Sequence, residues 1–306
     1  MKQKLSLTFF LSFSFFLSAQ NNPLINKEIN EENNKKFEKI LIELSVLESD
    51  NFLFSLKSAQ YFSQKNQLDS AALYIEKAIN QYKYLPISHD SERFLTIKDS
   101  LYKSSIFIYD KIISINPTDW NYCNRGVLKK DIGLYRESIL DFSKAIEIDS
   151  LDFLNYYNRG MAYSKLNLID KAISDYVKCI QLNPDYSSAY LNKGYALMSK
   201  NDYKGAIEEF EIALSKRIGF KEKGYTMNNI GFAYYKLKDY ETSRSFINKS
   251  LEIYPINSYA YKNLALIDIA INEKDNACKN ILKSIELGFV NQFGNEIIEL
   301  QKNNCY

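Results

Sequence analysis

The side chains able to do chemistry are few, and their spacing argues against a reaction centre. The chain of 306 residues has one histidine, His89, beside Asp90 in a stretch read as a loop. A lone histidine has no partner for zinc ligation, because such sites need clustered His and Cys. No serine or cysteine sits in a sequence context that a single histidine could activate. No glycine-rich loop is present to cradle a phosphate. Adjacent carboxylates such as Glu208 and Glu209 lie in helical stretches rich in other charges and read as solvated. No catalytic residue, metal or cofactor is therefore expected.

The remaining reactive candidates are four cysteines, Cys123, Cys179, Cys278 and Cys305. The charge balance is near neutral, with a formal net charge of +2. The six arginines (Arg93, Arg125, Arg136, Arg159, Arg217, Arg244) are scattered along the chain. That excludes the clustered Lys and Arg of a nucleic-acid footprint. The abundance of Tyr (24) and Phe (19) against Gly (10) and Pro (5) points away from collagen-like, linker-rich or turn-rich β architectures.

The elements that must position these residues follow from a repeat. Tyr122, Asn124, Arg125 and Gly126 recur as Tyr156, Asn158, Arg159 and Gly160, with glycines 160 − 126 = 34 residues apart. Gly194 follows after 194 − 160 = 34 and Gly231 after 231 − 194 = 37. Small residues alternate with large ones in each copy: Ser138, Phe142 and Ala145, then Ala172, Tyr176 and Cys179. The small eighth residue lets two helices approach closely, and Pro86, Pro117 and Pro255 stop the second helix. The three extra residues before Gly231, around Lys216 to Lys223, are expected to fall in a loop, where insertions are cheap.

A period of 34 residues with this pattern resembles the tetratricopeptide repeat. The resemblance implies an all-α solenoid, a right-handed superhelix of antiparallel helix pairs. About seven units are expected over residues 52–291: 52–85, 86–118, 119–152, 153–186, 187–223, 224–257 and 258–291. In 86–118, a weak first helix around Ser91–Lys98 would precede a second marked by Tyr102, Ser105, Tyr109 and Ile112. Residues 20–51 are expected to hold an N-terminal capping helix, with Phe37, Ile40, Leu41, Leu44 and Leu47 on one face. Residues 292–306 are expected to hold a closing helix near Phe293–Lys302.

Residues 1–19 read as a secretory signal. Lys2 and Lys4 precede an apolar run, Leu5–Leu17, too short to span a bilayer, and Ser18-Ala19 offers a small-residue exit. The alternative is a single N-terminal membrane anchor. The expected location is periplasmic or extracellular, with no transmembrane segment in the mature chain. The C-terminal stretch around Ala277–Cys278 and Cys305 resembles the closing helices of secreted bacterial members of the family. Export would permit oxidation, so Cys278 and Cys305 are the candidate disulfide; the alternative is two unrelated thiols.

Family members mostly bind peptides or proteins along the first helix of each pair. Carrying over those positions makes Trp120, Tyr157, Met161, Leu191, Tyr195, Met198, Tyr225, Phe232, Tyr235, Tyr259 and Lys262 the candidate partner-binding groove. The recurring Asn124, Asn158, Asn192, Asn229 and Asn263 would either bond a bound peptide backbone or tie helix to helix. Lys130 and Lys262 look isolated, which disfavours the Lys, Asn and Arg cluster by which some relatives grip a terminal carboxylate. The expected function is an exported, non-catalytic scaffold with a protein or peptide partner, with self-association through an uncapped end left open. The alternative is a glycan-binding module using stacked aromatic rings.

Overall fold

The computed structural model describes scattered positions from Ser55 to Ala78 and the chain from Glu92 to Cys305. The signal segment, the N-terminal cap and His89 lie outside the described residues. The chain divides into two compact units, Met1–Ile108 and Tyr109–Tyr306. In the first, Ala59, Ala71, Ile75 and Ala78 are fully buried and Phe62 stacks on Tyr74 at 5.4 Å.

The continuous part begins with α1 (Glu92–Ile115). Five helical hairpins follow. They are α2 (Asp119–Asp131) with α3 (Tyr135–Ile148), and α4 (Phe153–Lys165) with α5 (Ile169–Leu182). Next come α6 (Ser187–Ser199) with α7 (Tyr203–Ser215), and α8 (Phe220–Lys236) with α9 (Tyr240–Ile253). The last hairpin is α10 (Ser258–Ala270) with α11 (Lys274–Glu286). A short α12 (Phe289–Phe293) and α13 (Glu296–Asn304) close the chain. Each helix packs on its hairpin partner, and each second helix packs on the first helix of the next pair. This is an all-α solenoid, and no strand occurs among the described residues.

The small–large alternation explains the packing. Ser138, Ala145, Ala172, Cys179, Ala206, Ala213, Ser243, Ser250, Ala277 and Ser284 are all fully buried in second helices. Phe142, Tyr176, Phe210, Ile247 and Ile281 fill the space between them. A β-carbon on Gly194 would lie 2.6 Å from the Phe210 ring, closer than packed side chains come, so glycine is what lets α6 and α7 meet.

Three expectations are corrected. The turn expected within 86–118 is absent among the described residues: α1 is one helix of 24 residues through that position. The chain there has Ser100 where the true hairpins turn with a left-handed residue, and Arg93 where they have Gly or Ala. Nothing in that stretch breaks the helix. The insertion before Gly231 is not a loop either. Helix α8 has 17 residues against 13 in α2, α4, α6 and α10, so the extra residues add a helical turn at its start. The closing helix begins at Glu296, because Gly294 at φ 88° separates it from α12.

The hairpin turns share one backbone position. Gly133, Asn167, Asn201, Lys238 and Asn272 all have positive φ, between 57° and 85°. Asparagine and glycine tolerate this region, whereas a lysine β-carbon crowds the following carbonyl. Lys238→Gly should therefore raise stability by about 0.5–1 kcal/mol after the extra chain entropy of glycine is subtracted. Denaturant titration of both proteins measures it.

Candidate functional site

The first helices α2, α4, α6, α8 and α10 carry the groove candidates, and hydrogen bonds at the repeat period tie four of them together. Asn192 donates from Nδ2 to Tyr157 Oη at 2.9 Å, joining α6 to α4. Asn229 donates to Tyr195 Oη at 2.8 Å, joining α8 to α6. Asn263 donates to Asn228 Oδ1 at 3.0 Å, joining α10 to α8. Asn158 accepts from Lys130 Nζ at 3.1 Å and donates to its own helix at Leu154 O. Of the two uses open to these asparagines, helix-to-helix bonding is the one seen at Asn192, Asn229 and Asn263. Asn124 has a buried amide nitrogen without a protein partner.

A second set of ties lies inside the hairpins. Arg125 makes a two-pronged contact with Asp141, and Arg159 makes one with Asp175 at 2.8 and 2.7 Å. Lys193 meets Glu209 at 2.7 Å at the same position of the next hairpin. Hydrogen bonding to Asp175, against the cost of burial, raises the pKa of the Arg159 guanidinium. Arg125 and Arg159 are thus partly buried structural partners, and Glu209, expected to be solvated, is another.

Lys262 is not isolated. It is 3% exposed, its Nζ lies over the Tyr259 and Phe232 rings at 5.2 and 5.7 Å, and Glu296 of α13 meets it at 2.8 Å. The ion pair joins α13 to the last hairpin. Cys278 and Cys305 form a disulfide with a Cα–Cα distance of 5.6 Å, which ties α11 to the end of α13.

The other two cysteines are free thiols. Burial, then the Asp152 carboxylate, pushes both Cys123 and Cys179 up to about 12. At pH 8 only about one thiol in ten thousand is ionised, and the thiolate is the nucleophile. Native protein should therefore react slowly with an aromatic disulfide reagent and release two thiols promptly once denatured. A fast native reaction would contradict the burial. The sign for stability follows. Each thiol holds its proton to about 12 when folded but releases it near 9 when unfolded, so stability falls as pH rises from 9 towards 12.

The remaining groove candidates line a surface of half-buried rings. Trp120 is 60% exposed and Tyr195 42%. Tyr157 packs edge-on to Tyr186 at 4.9 Å. Phe232 stacks near Tyr235 at 6.0 Å, and Tyr259 stacks on Phe289 at 5.9 Å. Met161, Leu191 and Met198 are half-buried against the hairpin cores. Between α6, α8 and α10 the surface opens into a cavity of about 410 Å³ lined by Leu191, Tyr195, Glu222, Tyr225, Thr226, Asn229 and Tyr259. Glu222 was absent from the expected set. It lies in the added turn of α8, and the longer glycine spacing was the signal that could have found it. A cleft of about 470 Å³ beside Arg244 lies between α9 and α10. Its guanidinium is already held by the buried Asp268 at 2.6 Å.

Among the described residues no cluster of His, Cys, Asp or Glu could hold a metal ion, and no helix is long and apolar enough to cross a membrane. The tetratricopeptide repeat family matches residues 155–186, and a second form of the same repeat matches 121–150, 187–215 and 225–257. No curated protein matches the chain. Among solved structures, a tetratricopeptide repeat protein from Parabacteroides merdae is 17% identical, with a TM-score of 0.52 over 82% of this chain and 99% of its own. The C-terminal part of a repeat protein from Cytophaga hutchinsonii is 19% identical, with a TM-score of 0.54 over 68% and 83%. YrrB, described as having an unusual peptide-binding site, is 16% identical, with a TM-score of 0.51 over 63% and 97%. The stacked hairpins, the 34-residue period and the repeat matches together identify residues 121–257 as an array of tetratricopeptide repeats.

Proposed function

We propose that the protein is an exported, non-catalytic scaffold that binds an extended protein or peptide segment along the face built by α2, α4, α6, α8 and α10. The carrying observation is the run of accessible rings on that face, from Trp120 through Tyr195 and Tyr225 to Tyr259, beside an open cavity. Aromatic side chains are favoured at interfaces, where they give area at little entropic cost. The hydrogen-bonded ladder holds this face rigid, so a partner would lose little to ordering it. The peptide-binding site described for YrrB, a structure of similar fold, is consistent with such a use. Export is supported by the apolar run Leu5–Leu17 and by the Cys278–Cys305 bridge, which persists in oxidising compartments.

Selection from a displayed random-peptide library tests the site. Enriched peptides should bind the parent protein and lose about ten-fold or more in affinity to a Trp120→Ala, Tyr195→Ala, Tyr225→Ala variant that keeps its helical circular dichroism. Equal binding to both would move the site off this face. Enrichment of no peptide, together with clear binding on a glycan array, would replace the peptide reading with a sugar-binding one.

A further inference from the structure

We propose that the cavity between α6, α8 and α10 takes a cationic side chain, an arginine or a lysine, of the bound segment. The inference rests on the binding face proposed above and adds the chemistry of one subsite. The walls are three phenol rings, Tyr195, Tyr225 and Tyr259, with Leu191 beside them. One charged side chain lines the cavity, Glu222, and none of its atoms is drawn into an ion pair among the described residues. A carboxylate beside aromatic faces is the environment that a cation prefers, since the ring quadrupole and the negative charge act together.

The neighbouring rings already bind cations in this way. Lys221 lies over Tyr225 and Tyr254 at 5.8 and 5.7 Å, and Lys236 over Phe232 at 5.3 Å. Lys262 covers Tyr259 and Phe232, and Glu296 balances its charge. Neither Lys221 nor Lys262 lines the cavity. Among the described residues no cation is recorded over the ring of Tyr195. That ring is braced from within by Phe210, edge-on at 5.3 Å, and its hydroxyl is fixed by Asn229 at 2.8 Å. It is therefore held in a fixed orientation in the wall of the cavity that Glu222 also lines.

The cavity is tied to the one irregularity in the array. Glu222 belongs to the turn by which α8 exceeds the other first helices. At the first turn of a helix a carboxylate is also favoured by the helix dipole, and its oxygens fold back towards Gly219. The dipole explains an acidic residue there; it does not explain why three tyrosines line the same cavity.

The test uses the whole protein and N-acetyl-arginine methylamide, followed by nuclear magnetic resonance shifts, with N-acetyl-citrulline methylamide as the uncharged counterpart. The arginine probe should bind saturably and about five-fold more tightly than citrulline. Glu222→Gln should remove that advantage and leave citrulline unchanged, and Tyr195→Leu should weaken the arginine probe. Glu208→Gln, an exposed carboxylate on α7, is the charge control and should change nothing. Equal binding of both probes, no effect of Glu222→Gln, or stronger binding of N-acetyl-aspartate methylamide would each overturn the proposal. Library peptides that need Trp120, Tyr195 and Tyr225 but carry no Arg or Lys would overturn it while leaving the binding face intact. Failure of the library to depend on those rings would instead remove the face.

Discussion

Arg159→Leu should destabilise the array by about 3 kcal/mol, and adding Asp175→Leu should recover most of that loss. Arg159 holds Asp175 with two hydrogen bonds, and the aspartate is 5% exposed. Removing the cation leaves a charge in a place where water cannot reach it, and that penalty dominates. Removing both charges leaves two apolar side chains of fitting size. The protein already contains this solution. At the same two positions of the α8–α9 hairpin it carries Ile230 and Phe246, with Ile230 fully buried and Phe246 packed on the same core cluster. An apolar rung is therefore compatible with this hairpin geometry. Thermal or denaturant unfolding of the single and double variants measures the cycle. A double variant as unstable as the single would mean that the Arg159–Asp175 pair orients its hairpin in a way that packing cannot replace.

These rungs also show what could be read from the chain and what could not. The small–large alternation is set by sterics within one hairpin, so glycines such as Gly194 and rings such as Phe210 announced the fold directly. The Arg–Asp pairs sit 16 residues apart and repeat with the period, a legible signal that was passed over because the arginines were read as scattered. The hairpin turns were less visible, since asparagine and lysine stand where a glycine would have announced positive φ. At 86–118 the pattern of the second helix was sound, but no local signal measures how far a helix continues when nothing stops it. The groove residues were located by family position alone. Their exposure depends on neighbours one period away: Tyr157 is engaged by Asn192, whereas Tyr195, also bonded, keeps its ring open. Glu222 was missed because its role arises from an insertion, which periodic reasoning treats as a gap.

Cys305→Ser should lower the stability of the C-terminal end by roughly 3–4 kcal/mol, the chain-entropy value for a loop of this length. The bridge joins cysteines 27 residues apart and holds α13 against α11. What else holds α13 is modest: the fully buried Ile297, the half-buried Ile298 and Leu300, and the Glu296–Lys262 ion pair. The loss should stay local, because each unit of a solenoid contacts only its neighbours and such arrays open from their ends. Hydrogen exchange should show faster exchange in α10–α13 of the variant, while α2–α7 keep the protection of the parent. Reductant should reproduce the effect in the parent, and Cys278→Ser with Cys305→Ser should match the single change. Unchanged exchange in α13 would show that Ile297 and its neighbours alone hold the cap. Release of the cap would also strip Glu296 from Lys262, leaving a buried ammonium without its counter-charge beside Tyr259. Peptide affinity at that end of the face should then fall with the cap, although Cys305 itself lines none of it.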